Sequence, residues 1–124
     1  MDLEQLREYC ISYPGTSEGF PFDEETLVFK VMGKMFALVP LEHADRISLK
    51  CDPEYAIELR EKHPDAIEGA WHMNKKHWNT VYIYQQITEK LLRHLVKHSY
   101  DLVVSKLKKA DKLALKALSE ESEL

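Results

Sequence analysis

With 124 residues, 44% of them apolar and 31% charged, the chain has the size of one domain and enough apolar material for a single core without disulfides or structural metal. Its 12 aromatic residues exclude a chain that stays unfolded, and Met1-Asp2-Leu3-Glu4 has neither the basic start nor the apolar run of an export signal, so a cytoplasmic protein with no membrane contact is expected. The net charge of -4 hides an asymmetry, 15 acids against 7 bases in residues 1–70 and 6 against 10 in residues 71–124, which opposes tight non-specific binding to a polyanion and leaves the second half as the cationic one.

In chain order, Leu3, Leu6 and Cys10 recur at helical spacing after Asp2, with Gln5 as capping partner, and predict a helix to about Ser12 that Tyr13-Pro14-Gly15 ends. A short strand is expected at residues 17–20. Residues 26–31 and 35–39 are β-rich runs joined at Met32-Gly33-Lys34, a hairpin, and residues 46–50 continue it as an antiparallel strand. Asp52-Pro53-Glu54 combines a capping carboxylate, a first-position proline and a favourable acid, opening a helix to about Lys62. Strands are expected at 66–71 and 80–84. Beyond Thr88, Leu91, Leu92, Leu95 and Val96 mark one helical face, and Ser99 reads as the cap of a second helix with Tyr100, Val103, Val104 and Leu107 inside. The domain is then residues 1–118, with 119–124 a frayed acidic tail. The order of elements gives an α+β fold in two layers, an antiparallel sheet covered by helices.

Several strings, taken in order, resemble the MmcQ/YjbR family of small bacterial proteins: Tyr13-Pro14-Gly15-Thr16, Glu25-Thr26-Leu27-Val28-Phe29-Lys30, Gly33-Lys34-Met35-Phe36-Ala37, Leu49-Lys50-Cys51-Asp52-Pro53, the run from His72 to Thr80, and Ser99-Tyr100-Asp101-Leu102-Val103. The resemblance implies a YjbR-like, secretion-chaperone-like fold, often compared with frataxin, and a DNA-binding label that rests on fold comparison.

Trp71, His72, Asn74, Lys75, Lys76, His77, Trp78 and Asn79 hold the parts of a nucleic-acid platform: ammonium groups for phosphate, indoles for stacking, amides for base edges. Lys34 and Lys50 extend it. Against this stands packing, because Trp78, Thr80 and Tyr82 share one face of a strand and an indole there is commonly a core group. A protein-interaction or chaperone-like module is the second reading, and metal binding like that of frataxin, through Glu4, Glu8, Glu18, Asp23, Glu24 and Glu25, the third. His72 and His77 do not converge on a metal at their spacing, and His94 and His98 read as polar-face residues. Cys51 precedes a helix N-terminus, which lowers a thiol pKa, but has no base beside it in the sequence. No nucleophile-base pair, paired carboxylates or phosphate-cradling glycine loop is present, so neither an enzyme nor a cofactor is expected, and a monomer is favoured.

Overall fold

The computed structural model describes residues 1–71 and 73–122, with Ser122 by its backbone alone; the expected site residue His72, and Glu123 and Leu124, lie outside the described residues. Four helices, α1 (Leu3–Ile11), α2 (Pro53–Lys62), α3 (Glu89–Ser105) and α4 (Lys109–Ser122), accompany six strands, β1 (Thr16–Gly19), β2 (Thr26–Val31), β3 (Lys34–Pro40), β4 (Arg46–Lys50), β5 (Ile67–Gly69) and β6 (Trp78–Tyr82). All strand pairs are antiparallel, in the order β1-β2-β3-β4-β6-β5.

Alternation along the strands divides the sheet into two unlike faces. Leu27, Phe29 and Val31 of β2, Ile47 and Leu49 of β4 and Val81 of β6 point to one side, where they bury against Leu6 and Cys10 of α1, Ala56 and Leu59 of α2, Leu92, Leu95 and Val96 of α3 and Leu115 of α4. Each fully buried Phe or Leu contributes about 2 kcal/mol. Among the described residues the other side carries no α-helix, only the short 3-10 turn Leu41–His43 at its border. Its small apolar cluster, Val28, Leu38, Ala70 and Trp78 with Met35 and Met73, is flanked by polar positions such as Ser48 and Thr80.

The β2–β3 hairpin turns on Met32 and Gly33, with φ of 48° and 81°. Two positive φ values match the twist of a two-residue hairpin, and glycine accepts the second without steric cost. Lys34 is therefore the first residue of β3, not part of the turn. A register shift follows between Phe29 and Lys30, so Ala37 pairs Phe29 and Met35 pairs Lys30, and Phe36 is the extra residue of a bulge.

Three expectations need correction. Ser99 caps no helix: α3 is continuous, and Ser99 lies in its middle with 0% exposure, because its hydroxyl is consumed by the sheet. Residues 119–122 are not a frayed tail but the end of α4, where the Ser119 hydroxyl donates to the Leu115 carbonyl at 3.1 Å. The last strand begins at Trp78 and ends at Tyr82, two residues earlier than the alternation from Thr80 suggests. No helix among the described residues is long and apolar enough to cross a membrane.

The start of α2 is pinned from α3. Asp52, its N-cap, accepts from the Tyr55 N–H at 3.2 Å and donates its own N–H to His98 Nε2 at 3.2 Å. Burial, then the neighbouring His94, lowers the His98 pKa below 6.5, although Asp52 and Asp101 oppose the shift. The unfolded chain thus takes up a proton near pH 6.5 that the folded chain resists, so stability is complete above that pH and falls as pH drops toward the folded value. Melting at pH 7.5 and 5.5 is expected to show a smaller acid loss in His98→Gln, which keeps an acceptor that does not titrate; an equal loss would remove His98 as the cause.

Candidate functional site

The helix-free face is not flat. The loop between β5 and β6 and the segment before β2 rise at its sides and leave a cleft of about 660 Å³, within the range of small-ligand and nucleotide sites. Leu38, Ser48, Thr80 and Tyr82 floor it, and Phe22, Trp71 and Met73 stand at its rim; no described aspartate or glutamate lines it. The Ser48 and Thr80 hydroxyls bond each other at 3.1 Å across the β4–β6 pair, and the Arg46 guanidinium lies 4.9 Å from the centre of the Tyr82 ring while Asp45 accepts from its Nε at 2.9 Å. That hydrogen bond holds the Asp45 carboxyl below, and the guanidinium above, its ordinary pKa.

Trp71 is 66% exposed yet held from two directions. Its Nε1–H donates to Glu68 Oε1 at 3.0 Å, an oxygen that also accepts from the Tyr82 hydroxyl at 2.7 Å, and Lys75 Nζ sits 4.5 Å over the ring. The stem of Lys75 runs over Gly69, where an added Cβ would meet it at 3.2 Å, so the glycine leaves room for the lysine to reach the indole. An exposed indole fixed before any ligand arrives has already lost the side-chain freedom that binding would otherwise remove.

The loop carrying this pair is tied down from beneath. Asn74 accepts at its carbonyl from the N–H groups of His77 and Trp78, both at 3.0 Å, and at Oδ1 from the Lys76 N–H at 3.0 Å. Its Nδ2 donates to no described residue, and Asn74 is among the residues that line the cleft. Arg60 of α2 reaches under the loop, donating Nε–H to Asn79 Oδ1 at 2.7 Å and an NH2 proton to the Lys75 carbonyl.

The ten sequence-predicted residues therefore separate. Trp71 and Asn74 line the cleft and Lys75 braces Trp71; Lys76 is exposed and forms no ion pair among the described residues. Two need correction: Asn79, 2% exposed, lies on the helix side of β6 and donates to the Ala56 carbonyl, and Trp78, 8% exposed, packs with Val28 and Leu38, so neither presents its functional group to solvent. The packing interpretation held for Trp78 because β6 turns it onto the open face beneath Met35 and Met73. His77 is half-buried, lends its carbonyl to the Cys51 N–H at 2.8 Å, and lines neither the cleft nor the hollow that holds Lys34 and Lys50. Phe22, Arg46, Ser48, Met73 and Tyr82 were missed; the alternation Arg46-Ser48-Lys50 beside Trp78-Thr80-Tyr82 was the available signal.

Three of the six acids considered for metal, Glu4, Glu18 and Asp23, are occupied otherwise. Arg7 bonds Glu18 and Glu4, and Asp23 accepts the backbone N–H groups of Glu25 and Thr26 at 2.9 and 2.6 Å. Among the described residues, no three His, Cys, Asp or Glu side chains are grouped to hold an ion. Burial pushes the Cys51 thiol up to about 12, the reverse of the lowering that a helix N-terminus suggests, so it is no thiolate nucleophile at neutral pH.

The family model described as YjbR matches residues 11–102. The chain is 39% identical to the uncharacterized protein YbdF of Escherichia coli O157:H7, covering 90% of this chain and 94% of that one, and 34% identical to the uncharacterized protein YjbR of Escherichia coli K12, covering 86% and 91%. Its fold is similar to the crystal structure of the Deinococcus radiodurans protein DR2400, a DUF419 domain, with a TM-score of 0.85 at 43% identity over 93% of this chain and 88% of that one. A Pseudomonas syringae protein follows at 0.69 and 29%, over 82% and 98%.

Proposed function

The chain belongs to the YjbR family, and from that premise we propose that it binds single-stranded nucleic acid along the helix-free face of its sheet, without catalysing a reaction on it. The observation that supports this reading is Trp71, exposed but fixed by Glu68 and Lys75 at the rim of the cleft. An indole so held stacks on an unpaired base, whereas the bases of a duplex are already stacked on one another. Lys75 and Lys76 supply cations beside it, and Asn74 Nδ2 a donor for a base edge or sugar. The overall charge of -4 keeps affinity modest and places the interaction in this one region.

Titrating a labelled short single strand into the protein at low salt is expected to raise anisotropy and quench Trp71 emission, with buried Trp78 as the unquenched background. Trp71→Ala should weaken binding by about tenfold, the contribution of one stacked base, with little change in melting. Affinity should fall as salt rises, since each neutralised phosphate releases counterions. No binding at low salt, or equal binding by Trp71→Ala, defeats the reading. Binding of an apolar polypeptide that is insensitive to salt would instead favour a protein partner for the Phe22, Met35 and Met73 side of the cleft.

A further inference from the structure

A second hollow, of about 410 Å³, opens at the edge of the sheet where β3 and β6 begin and β4 ends, against the end of α3. Lys34, Lys50 and Lys106 line it with Trp78, Val103 and Leu107, and Met35 belongs to both this hollow and the cleft. No carboxylate lines it, and among the described residues none of the three lysines forms an ion pair.

This is an unfavourable arrangement for an empty protein. Lys50 is half-buried, paired in register with Trp78, and close enough to Lys106 that the second ammonium, after burial itself, lowers its pKa. Folding ordinarily places an acid beside such a pair or turns the lysines apart. Here the backbone sets the two residues side by side: the Lys50 N–H is fixed on the Ser99 hydroxyl at 2.9 Å, and Lys106 caps α3 with its own N–H on the Val103 carbonyl at 3.1 Å. The carbonyl end of α3 gives no attraction for an anion, so any attraction comes from the ammonium groups alone.

We propose that this hollow is an oxyanion pocket that takes the terminal phosphate monoester of a nucleic-acid strand lying in the adjoining cleft. The inference rests on the reading of that cleft as a single-strand site. A terminal phosphate carries about -1.5 to -2 charges at neutral pH against -1 for a bridging phosphodiester. Ammonium groups gathered on one hollow at the end of the strands match the higher charge, whereas a bridging phosphate along the chain needs only one.

The test compares one short single strand in three forms, with a 5′ phosphate, with a 3′ phosphate and with hydroxyls at both ends, each labelled on an internal base. Against the wild-type protein, one phosphorylated form is expected to bind about tenfold tighter than the hydroxyl form, the extra charge acting at short range on the half-buried Lys50 and the exposed Lys106 beside it. In Lys50→Gln/Lys106→Gln that gain should vanish, while the hydroxyl form keeps its Trp71 quenching and binds within about twofold of wild type. Equal binding of all three forms, or a gain that survives the double substitution, overturns the pocket and leaves the cleft standing. Absence of binding by every form overturns both.

Discussion

Replacing Ser99 with alanine is expected to destabilise the domain by about 4 kcal/mol, the loss of two hydrogen-bond partners from the interior at about 2 kcal/mol each. The reason lies in the register. Ala37 pairs Leu49 across β3 and β4, so Phe36 and Lys50 stand one position further along, where a direct bond between Lys50 N–H and the Phe36 carbonyl would close the ladder. The Ser99 hydroxyl occupies that place, donating to the Phe36 oxygen at 2.5 Å and accepting from the Lys50 N–H at 2.9 Å. Helix α3 thereby joins the sheet as a participant in its hydrogen bonding, at the bulge that turns Phe36 into the core. Alanine leaves both backbone groups unpaired. Urea titration should show the full loss with an unchanged slope, and melting should fall by about 15 °C. A loss under about 1 kcal/mol would mean that the strands close and pair directly, and the bridge would then be incidental. Ser99→Thr retains the hydroxyl but adds a methyl group at a fully buried position, and should lie between the two.

Ser99 also marks where sequence reasoning stopped. The hairpin, the helix at Asp52-Pro53 and the helical faces of Leu92, Leu95 and Val96 were legible because each is a local pattern, a turn, a cap or a period, that needs no distant partner. A serine between Val96 and Tyr100 carries the same local signal whether it starts a helix or lies inside one, and only a strand 49 residues away in sequence, at Lys50, decides between them. The site divides in the same way. Trp71, Asn74 and Lys75 were visible as a dense run of functional groups, and folding keeps them together at the cleft. Asn79 and Trp78 belong to the same run, but β6 begins at Trp78, and from there alternate side chains go to opposite faces of the sheet. What no local pattern contained was which face the helices leave open. That follows from all four helices packing on one side, and it is what gathers Phe22, Ser48 and Tyr82 beside Trp71.

Arg60→Ala is the substitution expected to separate the support of this site from its contacts. The guanidinium is half-buried beneath the β5–β6 loop and joins the Asn79 side chain to the Lys75 carbonyl, with a longer contact of 3.5 Å to the Trp78 carbonyl. Alanine leaves Asn79 Oδ1 without its donor in the interior, at a cost of about 3 kcal/mol for a hydrogen bond to a charged group. It also frees the backbone of Lys75, whose ammonium lies over the Trp71 ring and braces it, so single-strand affinity should fall by about tenfold although Arg60 lines neither the cleft nor the hollow. Arg60→Lys should recover little of either, because one ammonium on a flexible stem does not span two acceptors as the planar fork does. The two effects part in Arg60→Met/Asn79→Leu. Removing both polar partners from a buried pair restores much of the stability, since neither side chain is left with an unpaired polar group, but the Lys75 carbonyl remains untied. Unfolding free energy near wild type with affinity still reduced is the expected result for that variant. If affinity returns with stability, or if Arg60→Ala binds as the wild type does, the loop needs no anchoring and Trp71 is positioned by Glu68 alone.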